Sequence, residues 1–349
     1  QGELQNIKDL GSSYYFKHDY KSGEIINLCD FEIRSPCRGI KVGSIEGDIK
    51  LARNASLGEA LTLSHVKVSS ALNDNYLENA DSLNLSIPVR LHDFQDIEDM
   101  FGIKNYEWHL SYKEVPVAEE IIIKNNFEKI KNKNFSIHLP DYISSNHLID
   151  PISSNNEVKN QSLYLIDEVS RLSSNLQDIT GNEVPIVGSF SVLNQNKEDF
   201  YAQYCQVISD YSKNFNVKIM PQFLPRLAWY FGGSVKLDVF CSIEDFSFFK
   251  SLPYGICLDT AHCIMAANYE GADPHEWIKT LLDISQHMHI SDAIGVDGEG
   301  VKFGSGDLNS SLELLLKNTS RKVIEQWEGH LNNFEGFKES VNYLINYKS

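Results

Sequence analysis

The chain has 349 residues, 42% apolar and 23% charged, which is the balance of an ordinary globular protein with two domains or one large barrel and an appendage. Its 31 basic and 48 acidic side chains leave a net charge of −17, against the basic footprint that a binder of the phosphate backbone needs. No run approaches roughly 18 consecutive apolar residues and no basic segment leads into an apolar one, so neither a transmembrane helix nor a signal peptide is expected.

The charge is unevenly placed. Residues 1–70 hold nine basic and nine acidic side chains, and residues 71–349 hold 22 and 39, so the later segment carries the whole excess. A solvated acidic surface is the plain reading. Six cysteines, at 29, 37, 205, 241, 257 and 263, form no CxxC pair. A reducing, cytoplasmic setting is therefore expected, without a disulfide framework or a structural zinc site. Cys257 and Cys263 flank a candidate site but read as buried, inert thiols.

Residues 11–70 carry short strand and turn signals and no helical period. Tyr14-Tyr15-Phe16 is β-prone, and Lys21-Ser22-Gly23-Glu24 reads as a turn before Ile25-Ile26. A similar phrase, Gly58-Glu59 before Ala60-Leu61, follows the basic, Gly/Pro-punctuated stretch Ile33–Ile40. A small irregular β-module over residues 1–72 is expected, with the polar stretch around Asn73, Asp74 and Asn75 as a linker.

From residue 73 the rhythm changes. Short apolar runs recur at 86–91, 106–110, 135–139, 184–190, 217–222, 255–259, 287–291 and 322–327. Helical patterns occupy 94–101, 117–131, 161–178, 198–214, 243–250, 274–285, 309–317 and 333–347. Eight strands alternating with helices predict a (β/α)8 barrel over 73–349, and the absence of GxGxxG after any strand speaks against a dinucleotide fold.

Barrel chemistry sits at the C-terminal strand ends. There the sequence places His92, His109, His138, Gln222, Asp259, His289 and Glu325, with His262 just beyond. One such His is usually a hydrogen-bonded core residue, but imidazoles and carboxylates at this density suggest a divalent cation site. In Gly255–His262 a carboxylate ends a strand and a His follows three residues later as the chain turns into a helix; in His287-Met288-His289 two imidazoles share one strand face. Val323-Ile324-Glu325 ends an apolar strand in a carboxylate that is costly to bury without a cation or partner. The loop Phe303–Leu308 is Gly-rich and precedes a helix, as either an anion cradle or a plain turn.

Residues 80–349 resemble the xylose-isomerase-like TIM barrels, a superfamily of sugar isomerases and epimerases, inosose dehydratases and endonuclease IV. The phrases are GICLDTAH (255–262), HMHISD (287–292), FGSGDLN (303–309) and VIEQ (323–326). The resemblance implies a divalent metal held by Glu, Asp, His and Glu from the last four strands, here Gln222, Asp259, His289 and Glu325. Gln222 stands where the family has a Glu that is both ligand and acid/base. A Gln carbonyl can ligate a hard cation but cannot accept a proton at neutral pH, so two-base epimerisation is in question. CLDTAH alone resembles endonuclease IV, but its Asp-Arg-His triplet is replaced by Val296–Gly300, so no nucleic acid partner is expected.

Residues 8–70 resemble the antifreeze-like (SAF, β-clip) domain of sialic acid synthases, through LGSSYYFKHDYKSGEII (10–26), FEIRSPCRGI (31–40) and the second Gly-Glu phrase. That resemblance implies a fragment of a larger fusion in which a synthase barrel precedes Gln1, a possible homodimer, and a place in nonulosonic sugar biosynthesis. It also implies that Arg34 or Arg38 contacts the sugar's N-acyl group, with Cys37 where Gly is usual.

The expected function is a divalent-metal-dependent (Mn, Mg, Co or Zn) isomerase or epimerase of a sugar or sugar phosphate. Glu325 is its proton-transfer base, His262 a second catalytic group, and His109, His138 and Arg226 bind substrate, with Lys302 a further phosphate candidate. A one-base lyase or dehydratase on the same scaffold and a non-catalytic sugar-binding or scaffolding barrel are the alternatives. Glu107 and Glu328 are the carboxylates to check as replacements for the missing Glu.

Overall fold

The structure, a computed structural model, describes residues 11–347 apart from 36–38, 41, 44–46, 52, 63–64, 67–73 and 332. The chain divides into two compact units, residues 1–74 with 95–102, and residues 75–94 with 103–349.

The first unit is built from short antiparallel pairs. Ser13–Phe16 pairs with Phe31–Arg34, and Ile25–Ile26 with Ile49–Lys50. Their inward side chains make a core of Tyr14, Phe16, Ile26, Phe31, Ile49 and Leu51, with Ile40, Ala55 and Leu61 from the connections. The two Gly-Glu phrases do the same work. Gly23 N–H donates to Leu51 O and Glu24 O accepts from Leu51 N–H; Gly58 N–H donates to Phe16 O and Glu59 O accepts from Phe16 N–H. Each glycine has a left-handed φ, +91° and +77°, which the turn requires and an L side chain rarely adopts. The internal echo in the sequence is thus a repeated backbone device.

The second unit is a closed parallel barrel. Its strands are β1 Leu85–Val89, β2 Asn105–His109, β3 Asn134–His138, β4 Ile186–Gly188, β5 Ile219–Pro221, β6 Ile256–Asp259, β7 Ser285–Ile290 and β8 Arg321–Ile324. They neighbour one another in the order β5-β4-β3-β2-β1-β8-β7-β6. A parallel bridge between Gln222 and Cys257, with Phe223 N–H donating to Cys257 O at 2.8 Å, joins β5 to β6 and closes the ring.

The polar stretch expected to be a linker instead opens a helix, Asp74–Ser82, held by buried Tyr76 and Ala80 four residues apart on one face. The helix expected where the chain turns after Asp259 is present and runs over Thr260–Glu270. TAHCIMAANYE is apolar almost all round, because residues 260–267 are all buried, and so shows little amphipathic period. Conversely, the pattern expected to be helical to 285 ends at Leu282, and Ser285 already belongs to β7. Between β2 and β3 the expected helix is present but carries a π-helical turn at Glu120–Lys124.

Lys322 on β8 is fully buried, and its ammonium donates to the carbonyls of Leu83 (3.0 Å), Asn318 (2.6 Å) and Ser320 (3.0 Å). One cation thereby ties the start of β8 to the chain entering β1. Lys322→Met keeps the apolar stem but leaves those carbonyls without their shared donor, a loss of roughly 2–4 kcal/mol. Urea unfolding checks this; an unchanged midpoint contradicts it.

Candidate functional site

Parallel register sets the inward side chains side by side. Glu107 lies beside Ser136, and His109 beside His138. Cys257 lies beside His287, and Asp259 beside His289. The upper members and Gln222 gather at the C-terminal mouth, while Glu107, Ser136, Cys257 and His287 lie one step deeper.

Asp259 serves two structures at once. Its Oδ1 accepts the His262 N–H at 2.9 Å and caps the helix Thr260–Glu270, while Oδ2 accepts from the Gln222 amide at 2.9 Å. Gln222 is the hub of the mouth. Its Nε2 also lies 3.0 Å from His289 Nδ1, and its Oε1 faces His138 Nε2 at 3.1 Å and the Ser189 hydroxyl at 2.8 Å. Glu325 Oε2 lies 3.1 Å from His289 Nδ1, and Oε1 lies 3.8 Å from His109 Nε2. His262 donates through Nδ1 to the Phe223 carbonyl at 3.0 Å and through Nε2 to Glu299 at 3.1 Å.

The electrostatics follow from burial against charge. Burial pushes the Asp259 carboxyl up to about 7, with His262 opposing and Glu325 adding to the rise. Burial alone disfavours a charge on His262, but Asp259 and Glu299 outweigh it and lift the imidazole to about 10. For Glu325 and Glu107 burial is again the largest influence and is overcome: the neighbouring imidazoles, His289 foremost, hold both carboxyls below the usual range. Cys257 is pushed up to about 12 by burial, an uncharged thiol.

The donor set fits a divalent cation. Ligand atoms of His138, His289 and Glu325 lie within 4.8 Å of one another, and Asp259 Oδ2 is 4.0 Å from His289 Nδ1. The surroundings of His138 bear on Gln222. His138 Nδ1 lies 2.6 Å from the Leu139 carbonyl, which needs a proton on that nitrogen. With the Nδ1 proton spent on that carbonyl, Nε2 can face the amino side of Gln222 after a half-turn of the amide, which leaves His138 beside the cation rather than on it. The half-turn directs the carbonyl at Asp259 and His289, as a cation ligand requires.

The structure brings His109, His138, Gln222, Asp259, His262, His289 and Glu325 together. Arg226 is engaged elsewhere: its guanidinium pairs with Glu270 at 2.6 Å and Asp238 at 3.6 Å. Lys302 pairs with Glu339 at 2.6 Å, and His92 is exposed. Arg34, in the first unit, pairs with Glu32 and lies over the Tyr15 ring; Arg38 and Cys37 lie outside the described residues. Two further carboxylates join the site: Glu299, which was not foreseen, and Glu107, one of the two named as replacements for the missing Glu. Glu299 meets His262 and accepts from the indole N–H of Trp327 at 3.3 Å. Glu107 contacts three imidazoles, and its signal was legible as a lone acid inside an aromatic strand, Tyr106-Glu107-Trp108.

The Gly-rich loop is not free to take an external anion. The Asp292 carboxylate, fully buried, accepts the N–H groups of Gly304 (3.0 Å), Gly306 (2.9 Å) and Leu308 (2.9 Å). An internal anion already fills the cradle.

No protein-family model and no curated protein matches the sequence. Solved structures match the shape. The probable 3-DHS dehydratase AsbF of Bacillus anthracis superposes with a TM-score of 0.55 at 12% identity, over 76% of this chain and 100% of its own. Endonuclease IV of Thermus thermophilus gives 0.51 at 14%, over 76% and 100%. The 3-keto-D-glucoside 4-epimerase YcjR of Escherichia coli gives 0.50 at 13%, over 76% and 99%. The chain shares their fold. That fold is a TIM barrel, and no helix among the described residues is long and apolar enough to cross a membrane.

Asp292→Ala removes the acceptor of three loop amides. Hydrogen exchange at residues 304–308 is expected to accelerate by at least tenfold while strands of the barrel keep their protection. Unchanged protection of the loop contradicts this role.

Proposed function

We propose that the barrel is a divalent-metal-dependent enzyme of the isomerase/epimerase type acting on a sugar or sugar phosphate. The observation that carries this is the convergence of Gln222, Asp259, His289 and Glu325 from the last four strands onto one point of the mouth. These residues would hold the cation, which when bound supplies Lewis-acid polarisation of adjacent sugar oxygens.

The chain's own residues then divide the work. Glu325, partly open to the mouth, takes the proton from the sugar carbon and returns it to the neighbouring one. His262, kept cationic by Asp259 and Glu299, and His109 and His138 orient hydroxyl groups. Because Gln222 carries no base, the proton moves on one face, which suits a 1,2-shift better than inversion between two bases. The same feature favours a one-base dehydratase as the second reading: Glu325 removes the proton and a hydroxide leaves the adjacent carbon.

The first unit we read as an SAF-type module over residues 1–72, joined to the barrel of 73–349. The supporting features are its paired Gly-Glu turns and the phrases of residues 10–40. On that reading Arg34 or Arg38 contacts an N-acyl sugar, a synthase barrel is the partner in the same polypeptide, a homodimer is the working form, and the setting is cytoplasmic nonulosonic sugar synthesis without nucleic acid or membrane.

Elemental analysis of the purified chain tests the metal. About one equivalent of Mn, Co or Zn in the parent and none in Asp259→Ala/His289→Ala is expected. No uptake by the parent after incubation with these ions overturns the enzymatic reading and leaves a sugar-binding or scaffolding barrel. With amino-sugars and sugar phosphates, Glu325→Gln is expected to slow exchange of a substrate C–H proton with solvent by about 10²–10⁴-fold. Exchange at the parent rate contradicts its role as base.

A further inference from the structure

Glu107 sits on β2 with no exposure to solvent, directly beneath the mouth. Its four polar neighbours are distributed two to each oxygen. Oε1 lies 2.9 Å from His109 Nε2 and 2.8 Å from His289 Nε2; Oε2 lies 2.7 Å from His287 Nε2 and accepts the Ser136 hydroxyl at 2.6 Å. An ionised carboxylate has about four acceptor positions and no proton to give. Every neighbour must therefore present a hydrogen, which places an N–H on Nε2 of all three histidines.

We propose that Glu107 is the positioning residue of the metal centre, fixing His289 with its proton on Nε2 so that Nδ1 is the ligand atom. The His289 approach is oblique, and the Cys257 side chain is the other polar group against the buried side of that ring. The opposite ring nitrogen faces the mouth, 3.1 Å from Glu325 Oε2 and 3.0 Å from the Gln222 amide. A ligating imidazole held from behind by a carboxylate has its orientation and basicity set by that carboxylate. Here the same oxygen, Oε1, also reaches His109, so one buried acid aligns two rings of the mouth. Glu107 touches neither cation nor substrate on this account. The inference rests on the metal-centre reading above.

Glu107→Gln keeps the shape and removes the charge. Its amino side then opposes N–H groups, and one imidazole has to turn or change tautomer. The test is calorimetric titration of the chelator-stripped full chain with Co²⁺, followed also by its visible absorption, for the parent, Glu107→Gln and Asp259→Ala. The expected result is binding by the parent, loss in Asp259→Ala, and about 10–100-fold weaker binding with an altered visible band in Glu107→Gln. Parent binding with Glu107→Gln affinity within twofold overturns the positioning role and leaves the metal centre standing. No binding by the parent overturns the metal reading and this inference together. Should Glu107→Gln fail to fold, nitrogen-15 spectra of the zinc-loaded parent decide. His289 protonated at Nε2 and metal-bound at Nδ1 supports the proposal, and the reverse overturns it.

Discussion

A fully buried carboxylate must be met by donors or cations, and Glu107 is met by three imidazoles and a hydroxyl drawn from β2, β3 and β7. That requirement organises the barrel interior. It explains why two alternate residues of one strand, His287 and His289, are both imidazole, and why Ser136 stands where an apolar side chain would ordinarily fill the ring. Above this layer the two carboxylates of the mouth, Asp259 and Glu325, face the outer nitrogen of His289. Charge of opposite sign is therefore stacked in two tiers. Among the described residues the carboxylates of the upper tier pair with imidazoles alone, and neither meets a Lys or an Arg.

The strand order of the barrel was legible because each strand is a short apolar run bounded by turn signals, and because alternation with helices leaves few topologies. What was hidden has common causes. The helix expected after Asp259 showed no readable length, because residues 260–267 are all buried and its sequence lacks a polar stripe. The hairpins Leu227–Tyr230/Gly233–Lys236 and Asp292–Ile294/Gly298–Val301 are excursions from the barrel strands, and their few residues carry no period of their own. Composition alone makes the polar stretch at 73–75 a linker, whereas burial of Tyr76 and Ala80 makes Asp74–Ser82 a helix.

The mouth was legible residue by residue from the strand-end rule, which put His109, His138, Gln222, Asp259, His289 and Glu325 on one list. Long-range pairings were not. Arg226 follows Gln222 by four residues and looked available, yet a carboxylate from the end of the helix Thr260–Glu270 engages it. The glycines of 303–308 left an anion cradle and a plain turn both open, and Asp292 on the neighbouring hairpin decides by occupying their amides. Both partners lie far along the chain and leave no trace in local pattern. Glu107 was visible as an acid in an apolar strand; only the fold shows that it serves three histidines.

Gln222 is central as a cation ligand rather than a hydrogen-bonded substitute for a cation. The most direct measurement is anomalous diffraction from crystals of the chain grown with Mn²⁺. One strong peak bounded by Gln222, Asp259, His289 and Glu325 is expected, with the Gln222 carbonyl turned toward it and its amino group toward His138. A mouth with no such peak, in which the Gln222 amino group still donates to Asp259, contradicts it.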